Sequence, residues 1–392
     1  GVELMTVEGN PIRKEVFRVD WDIATAEKAG YDHFMQKEIH EQPQAYRDTM
    51  RGRIDENGGL VKLPEIPLSP EELRAFSRIH IVACGTAFHA GMVGKHTIER
   101  LARIPVEIDI ASEYRYRDPI IDRDTLVIAV SQSGETADTL AALREAKRRG
   151  AKVLAITNVV GSSVAREADY VIPTWAGPEI AVASTKAYTS QLIVFYLLGL
   201  YLAQSLGTQD EAFIREVTGA MRRLPEQVEE VLKQAGRIKR IAEDISRHQN
   251  LFFIGRGFDY AVALEGSLKL KEISYIHSEA YAAGELKHGT LALIEEGVPV
   301  IALATQDALF EKTVSNIIEV KARGAYVFGI ANEGDSELAK SVDEVLHIPR
   351  TLPLLTPALS VIPLQLLAYY ASLARGNDVD KPRNLAKSVT VE

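Results

Sequence analysis

Short apolar runs alternate with amphipathic segments along most of this chain. Residues 126–130 form a β-branched, apolar pentapeptide bounded by turn-forming residues, which is typical of a buried parallel strand. Residues 137–149 follow, with apolar side chains at Leu140, Leu143 and Ala146, a spacing that places all three on one helical face. Strands that alternate with helices in this way predict an α/β fold with a doubly wound parallel sheet.

The strand-and-helix pattern occurs twice. Residues 79–85 resemble residues 251–257, since each is an apolar run followed by a glycine turn and a helix-like segment. Three further pairs of apolar runs match in the same order, namely 126–130 with 298–302, 151–158 with 325–332, and 169–173 with 343–349. Each half closes with a long apolar helix, predicted at 186–206 and 359–374. The sequence therefore predicts two tandem subdomains, each with its own doubly wound sheet flanked by helices.

The regions outside the two halves have patterns of their own. Residues 211–247 are charged, helical in period and interrupted at Pro225, so they predict a helical connector between the halves. Residues 34–53 predict a helix broken at Pro43, and residues 8–11 carry the turn residues of a hairpin.

Composition and charge exclude several classes of protein. Apolar residues at 46% and charged residues at 25% describe an ordinary globular protein, and a length of 392 residues favours two domains over one. The net charge of −9 gives no support for nucleic-acid binding, and a single cysteine excludes an intramolecular disulfide. No apolar run looks long enough to span a bilayer and no signal peptide is visible, so we expect a cytoplasmic protein. Because the chain begins at Gly1 without an initiator methionine, we expect a fragment of a longer protein.

The most informative polar segment is residues 131–136, Ser-Gln-Ser-Gly-Glu-Thr. It joins the carboxyl end of a predicted strand to the amino end of a helix, where free backbone N–H groups and the helix dipole favour an anion. Ser131, Ser133 and Thr136 add hydroxyl donors, and Gly134 lets the backbone approach closely. One hydroxyl would indicate only a helix cap. Three hydroxyls, an amide and a glycine in six residues favour a phosphate cradle.

Two glycine-containing motifs do not support a nucleotide site. Residues 255–257 begin like a dinucleotide fingerprint, but Tyr260 occupies the third glycine position and no acidic residue follows at the end of a second strand. Gly94 and Lys95 are followed by His96 where a nucleotide-binding loop needs serine or threonine.

Two motifs in order, residues 84–86 (Cys-Gly-Thr) and residues 131–136, resemble the sugar isomerase (SIS) domain family. Further segments narrow the resemblance to the isomerase half of the glutamine–fructose-6-phosphate aminotransferases, and these are residues 183–188, 268–277, 285–289 and 382–392. The resemblance covers the chain from about residue 31 onward.

This resemblance implies a domain organisation. We expect two SIS subdomains, at residues 31–210 and 251–376, joined by a helical connector at residues 211–250. Residues 377–392 are expected to form a C-terminal tail that folds over the active site. Residues 1–30 are expected to be the remnant of a preceding domain and its linker, with the family's amino-terminal glutaminase domain missing from this sequence.

The resemblance also implies a reaction. The family converts fructose 6-phosphate and ammonia into glucosamine 6-phosphate, the first step of the hexosamine (UDP-N-acetylglucosamine) pathway. For this chain alone it implies isomerisation of fructose 6-phosphate to glucose 6-phosphate, since ammonia would come from the missing glutaminase domain. It implies no metal and no cofactor, because hydroxyls and backbone dipoles hold the phosphate.

By resemblance, three groups of residues serve this reaction. The phosphate ligands are Ser131, Gln132, Ser133 and Thr136. The residues around the sugar or at the end of an ammonia channel are Cys84, Thr86, Val182 and Ser184. The catalytic residues are Glu272, Lys269, His288 and Lys387.

Each catalytic residue also has an ordinary explanation that the residues alone leave open. Glu272 and Lys269 would ordinarily form a surface ion pair, whereas by resemblance Glu272 carries a proton between C1 and C2 and Lys269 steadies the sugar or the base. His288, in a predicted loop, would ordinarily be solvated, whereas by resemblance it opens the sugar ring in a neighbouring subunit, which implies a homodimer. Lys387 would ordinarily be exposed, whereas by resemblance it forms a Schiff base with the C2 carbonyl.

Two other functions stay open at this point. The first is a non-catalytic SIS regulator that binds a sugar phosphate. The second is another SIS ketose-phosphate isomerase or a deglycase. A regulator needs the phosphate loop but has no need for a base, a ring opener and a tail amine together. The C-terminal residues favour the aminotransferase branch.

Overall fold

The computed structural model describes residues 4–6, 9–12, 27–56 and 58–391. Two short strands, β1 (Leu4–Met5) and β2 (Pro11–Ile12), pair antiparallel, so the hairpin predicted at residues 8–11 is confirmed. Much of the segment expected to be a domain remnant, namely residues 1–3, 7–8 and 13–26, lies outside the described residues.

Three helices precede the first sheet, namely α1 (Phe34–His40), α2 (Gln42–Met50) and α3 (Pro70–Ala75). The break predicted at Pro43 is confirmed, because Pro43 lies in the first turn of α2, where its missing N–H leaves no helical hydrogen bond unmade. Helix α3 begins with a capping box in which Ser69 and Glu72 each accept a hydrogen bond from the other's backbone N–H.

The first sheet has five parallel strands in the order β4-β3-β5-β6-β7. The strands are β3 (Arg78–Ala83), β4 (Val106–Ile110), β5 (Thr125–Ser131), β6 (Lys152–Thr157) and β7 (Tyr170–Pro173). The helices that connect or follow them are α4 (Gly85–Ala102), α5 (Ala111–Tyr114), α6 (Ala137–Arg148), α7 (Ser163–Glu167) and α8 (Lys186–Leu206). The predicted parallel, doubly wound sheet of the first half is confirmed.

Three helices separate the two sheets, namely α9 (Glu211–Met221), α10 (Leu224–Leu232) and α11 (Ala235–Ile245). Pro225 lies in the first turn of α10, and the chain breaks again between α10 and α11. Each of the three helices buries one apolar side, so the connector packs onto the core.

The second sheet also has five parallel strands. From the edge that corresponds to β4, their order is β9-β8-β10-β11-β12, which repeats the order of the first sheet. Its strands are β8 (Asn250–Gly255), β9 (His277–Ala282), β10 (Pro299–Ala304), β11 (Tyr326–Asn332) and β12 (Glu344–Ile348). Its helices are α12 (Phe258–Ser274), α13 (Phe310–Lys321) and α14 (Pro357–Ala374). Short 3-10 helices lie at Ala283–His288, Thr290–Leu293, Asp307–Leu309 and Leu338–Lys340. The predicted duplication is confirmed by the identical strand order of the two sheets.

The apolar pattern predicted one edge strand of each sheet, β7 and β12, and missed the other. Strands β4 and β9 lie at sheet edges and are only partly buried, so they lack the continuous apolar run of a central strand. The prediction of a loop around His288 is also wrong, since Ala283–His288 forms a 3-10 helix.

Helices α8 and α14 form the centre of the molecule, packed against α4 and α12 respectively. We expected no apolar run long enough to span a bilayer, and by length and composition that expectation is wrong for both helices. However, 78% of the apolar window of α8 and 83% of that of α14 is buried inside the protein. Both are therefore core helices, apolar on every side because protein surrounds them.

The strand order fixes where a ligand can bind. In the first sheet β3 lies between β4 and β5, so the chain crosses to opposite faces of the sheet on leaving β3 and β4. Ligands of doubly wound sheets bind at such a switch point, outside the carboxyl ends of the strands. Cys84 and the loop at residues 131–136 follow β3 and β5 at this edge.

Candidate active site

A cavity of about 250 Å³ opens at the switch point between β3 and β5. Its walls come from the ends of these two strands, from residues 182–191, from α12 and from the C-terminal tail. Eleven of the twelve residues predicted for the site line this cavity, and these are Cys84, Thr86, Ser131, Gln132, Ser133, Thr136, Val182, Ser184, Lys269, Glu272 and Lys387. The fold thus brings together residues up to about 300 positions apart in the chain.

The loop at residues 131–136 places three side-chain hydroxyl groups next to the amino end of α6. Ser131 Oγ and Thr136 Oγ1 lie 2.9 Å apart, and Ser131 Oγ accepts a hydrogen bond from Gly134 N at 3.0 Å. Ser133 Oγ accepts from Glu135 N at 3.2 Å. Hydroxyls and backbone N–H groups at a helix amino end provide neutral donors for an anion.

Gly134 gives this loop its shape. Its φ of +65° is in the left-handed region, and a Cβ there would lie 2.0 Å from Ser162 Oγ. Only glycine therefore allows the loop to close against α7.

Lys269 is a fully buried cation between two carboxylates of α12. Its side chain is 1% exposed, with Nζ 2.5 Å from Glu272 Oε2 and 3.6 Å from Glu265 Oε1. Burial alone would lower the pKa of Lys269, but the charges of Glu272 and Glu265 raise it above its ordinary value. Glu272 itself remains 21% exposed and lines the cavity. The pair is therefore not an exposed surface ion pair.

Glu265 is a buried carboxylate that we did not predict from the sequence. Its side chain is fully buried, and it accepts hydrogen bonds from Thr86 Oγ1 at 3.1 Å and from His89 Nδ1 at 2.8 Å, where His89 is taken as the donor. Helical spacing was the available signal, because Glu265, Lys269 and Glu272 fall at i, i+4 and i+7 on one face of α12. Glu265 ties this helix to the Thr86 turn of the first subdomain.

The tail lysine, Lys387, reaches into the cavity and is held by three acceptors. Its Nζ lies 2.5 Å from Glu179 Oε2, 2.8 Å from Ala181 O and 3.3 Å from Ser184 Oγ. Burial alone would raise the pKa of Glu179, but Lys387 and the N–H groups of Thr185 and Ala187 lower it to about 2. Glu179 is the second site residue that sequence reasoning missed, since it follows no periodic pattern.

The rest of the tail is ordered across the cradle. Ser388 Oγ lies 2.9 Å from Ser133 Oγ, and Val389 O accepts a hydrogen bond from Ala137 N in the first turn of α6. Further back, both carboxylate oxygens of Asp380 accept from the first turn of α1, at Phe34 N and Met35 N. These contacts hold Lys387 over the cavity.

Cys84 and His288 occupy contrasting positions. Cys84 precedes α4 at the cavity wall, and burial raises the pKa of its thiol, so it is poorly suited to act as a nucleophile. His288 is exposed at the end of the 3-10 helix Ala283–His288 and is not among the residues that line the cavity. Within one chain, the structure does not bring His288 to the other predicted residues.

Comparison with known proteins supplies a family and relatives. The family model described as SIS domain matches residues 72–201 and 244–375. A glutamine–fructose-6-phosphate aminotransferase (isomerizing) from Symbiobacterium thermophilum is 63% identical over 392 residues, which are 100% of this chain and 64% of that protein. The enzyme of the same name from Clostridium tetani is 61% identical over the same shares of both chains. This chain therefore spans just under two thirds of the length of these relatives.

A solved structure covers the same region. The C-terminal domain of glucosamine-fructose-6-phosphate aminotransferase from Francisella tularensis superimposes with a TM-score of 0.86 at 40% identity. The match covers 91% of this chain and 100% of that one.

Proposed function

Since this chain belongs to the SIS domain family, we propose that it is the isomerase part of a glutamine–fructose-6-phosphate aminotransferase. In this proposal it converts fructose 6-phosphate and ammonia to glucosamine 6-phosphate, and without ammonia it interconverts fructose 6-phosphate and glucose 6-phosphate. One observation carries the proposal: a single cavity joins a hydroxyl-rich cradle, a carboxylate–lysine pair and a tail lysine. Glutamine is the amino donor in the relatives' name, and we propose that ammonia comes from a glutaminase domain outside this sequence.

The cradle supports the role of phosphate site. Ser131, Ser133 and Thr136 offer hydroxyl donors, Gln132 lines the same wall, and the amino end of α6 adds its dipole. The sugar phosphate would thus be anchored at one end of the cavity, with its carbon chain extending toward α12 and the tail. Thr86, Cys84, Val182 and Ser184 line the space between.

The acid–base chemistry is assigned to Glu272. Its carboxylate is partly exposed to the cavity and is held in place by Lys269. In the proposed reaction Glu272 takes a proton from C1 and returns it to C2, while the Lys269 ammonium stabilises the negative charge that develops on oxygen.

The carbonyl chemistry is assigned to Lys387. Its side chain is 24% exposed, so in the proposed reaction its ammonium first loses a proton to solvent, and the free amine then adds to the C2 carbonyl. Loss of water leaves an imine, from which ammonia would displace the Lys387 amine, and the resulting imine of ammonia at C2 activates C1 for proton removal. Without ammonia, water returns the C2 carbonyl, and the proton moves from C1 to C2 on the free ketose. The order of the tail supports this role, because an amine on a free C-terminal segment would not be positioned for attack.

We further propose a cytoplasmic homodimer in which each copy supplies His288 to the other. The support is geometric, since His288 is exposed, lies on a short ordered helix and is absent from its own chain's cavity wall. At the neighbouring site it would open the sugar ring, a task that suits an imidazole near neutral pH.

The test is an isomerase assay on the purified chain with fructose 6-phosphate, coupled to detection of glucose 6-phosphate. We expect turnover in the absence of glutamine, reduced roughly 10²–10⁴-fold in Glu272→Gln, which keeps the side chain's shape but cannot accept a proton. The matched control is Lys271→Gln, an exposed neighbour on the same helix that does not line the cavity. Borohydride should trap the sugar on the wild type and on Glu272→Gln, but not on Lys387→Arg.

Each contrary outcome contradicts a different part of the proposal. Binding of fructose 6-phosphate with no isomerisation would contradict the proposal and favour a sugar-phosphate-binding regulator. Trapping that persists in Lys387→Arg would move the imine to another lysine, and Lys269 also lines the cavity.

A further inference from the structure

A further buried carboxylate, Glu38 on α1, lies behind the residues that hold Lys387. We call residues 179–182 the strap. Glu38 is 2% exposed, and its Oε1 accepts hydrogen bonds from two N–H groups of the strap, those of Ile180 at 2.6 Å and Ala181 at 3.2 Å. Its Oε2 is buried without a hydrogen-bond partner among the described residues. None of the chemistry assigned above uses this carboxylate.

Lys387 binds the opposite side of the same strap. Its Nζ donates to Ala181 O, whereas Ala181 N donates to Glu38. Lys387 also pairs with Glu179, the first residue of the strap. Glu38 and Lys387 are thus separated by one peptide segment, and each fixes its position.

The charges around the strap are unbalanced. Two carboxylates, Glu38 and Glu179, face one cation, Lys387, and the Lys387 charge acts on both of them. On α1 itself, Lys37 donates to Glu27 O and lies 3.4 Å from Glu41 Oε1, and His40 Nδ1 lies 2.8 Å from Gln36 O. At the two ends of the helix, Asp380 caps the first turn and Glu41 pairs with Lys186 of α8. Burial and the neighbouring charge of Glu179 raise the pKa of Glu38 to about 8. At neutral pH Glu38 and Glu179 together therefore carry about one negative charge, which balances the single ammonium of Lys387.

We propose that Glu38 is a positioning residue for Lys387, because its Oε1 holds the strap that binds Lys387 and its buried carboxyl group, one peptide segment away, controls how firmly Lys387 holds its proton. This inference rests on the proposed function in that Lys387 is taken as the reacting amine. An ionised Glu38 would add a second buried negative charge near Lys387 and stabilise its ammonium form. A neutral Glu38 leaves Glu179 as the only one of the two carboxylates whose charge stabilises the Lys387 ammonium.

The experiment measures the protonation of Lys387 directly. Trace acetylation with acetic anhydride labels only the free amine, and mass spectrometry of peptides quantifies Lys387 against the other lysines of the full chain. Wild type and Glu38→Gln are compared from about pH 6.5 to about pH 9.5. Glutamine keeps an acceptor for Ile180 and Ala181 but cannot ionise, so the comparison reports the charge of residue 38 and not the loss of its contacts. The matched control is Glu41→Gln, which removes a carboxylate at the end of the same helix.

Near pH 9, where Glu38 of the wild type is ionised, we expect Lys387 to be labelled about tenfold faster in Glu38→Gln than in wild type. This ratio corresponds to a difference of about one unit in the pKa of Lys387. The ratio should shrink below about pH 7, and Glu41→Gln should follow the wild type throughout. Equal labelling of Lys387 in Glu38→Gln and wild type at every pH would overturn the inference.

A second measurement needs no variant. Infrared titration of the unmodified protein should show a protonated carboxyl band that disappears as the pH passes about 8, and the absence of such a band would also overturn the inference. Turnover of fructose 6-phosphate is measured in parallel. If the labelling behaves as expected but no isomerisation occurs, the proposed function fails while the coupling of Glu38 to Lys387 stands.

Discussion

Lys269 is the side chain whose removal should most disturb the site. In Lys269→Met the apolar stem is retained and only the ammonium is lost. Glu265, which is fully buried, would then keep only Thr86 and His89 as partners, and Glu272 would lose its contact at 2.5 Å. Leaving a buried charge without its counter-ion costs about 3–5 kcal/mol. We therefore expect Lys269→Met to lower the free energy of unfolding by about this amount.

The origin of that cost can be isolated in a double-mutant cycle. Glu265→Gln removes the orphaned charge while keeping the side chain's shape, so the double variant should regain about 1–3 kcal/mol relative to Lys269→Met. The assay is urea unfolding followed by circular dichroism at neutral pH. This pH is suitable because the raised pKa of Lys269 keeps its contribution fully present below the ordinary value of 10.5, and the contribution is lost only as pH rises through the folded-state pKa.

An exposed pair provides the control. Lys340 and Glu337 form an ion pair with side chains 65% and 62% exposed, and Lys340→Met should change stability by less than about 1 kcal/mol. The reasoning would be refuted if Lys269→Met were as stable as Lys340→Met. It would also be refuted if the effects of Lys269→Met and Glu265→Gln were simply additive, since the argument requires the two charges to be coupled.

Two further predictions concern the cradle and a buried acid of the second subdomain. Replacing both Ser133 and Thr136 with alanine should weaken binding of fructose 6-phosphate by about 2–3 kcal/mol, at roughly 1–1.5 kcal/mol per lost hydrogen bond, as measured by titration calorimetry; unchanged affinity would place the phosphate elsewhere. Burial raises the pKa of Asp259 from 3.8 to about 6, although Thr305 donates to it through its N–H and hydroxyl. The protonated form of Asp259 therefore contributes its full stability below the unfolded-state pKa, and about 3 kcal/mol of that contribution is lost as the pH rises toward 6. Asp259→Asn should flatten the dependence of urea unfolding on pH between these values. An identical slope in wild type and variant would contradict this prediction.

The periodic pattern of the sequence determined the central strands, the long core helices and the duplication. Buried parallel strands have to be apolar along their whole length, so β3, β5, β6, β8, β10 and β11 are visible in the sequence as continuous runs. The cradle was visible for a similar reason. Its hydroxyls and Gly134 are adjacent in the chain, and their position after a strand and before a helix fixes what they can bind.

Elements that are stabilised by distant neighbours were not predictable in this way. Strands β4 and β9 are edge strands with mixed burial, and they exist because β3 and β8 offer them a free side to pair with. The resemblance to a family named Lys269, Glu272 and Lys387, but the local pattern alone favoured a surface pair and a free tail end.

Only the tertiary structure decided the electrostatics of the site. The sequence shows no reason for Glu179 to meet Lys387, or for Glu38 of α1 to bind the N–H groups of Ile180 and Ala181, because each pair is separated by more than a hundred residues. Whether a carboxylate is a solvated surface charge or a buried acid with an altered pKa depends on what surrounds it in space. The chain's own pattern places the cradle at the switch point, and the packing of the two subdomains, α1 and the tail determines which distant residues join it and how each of them is charged.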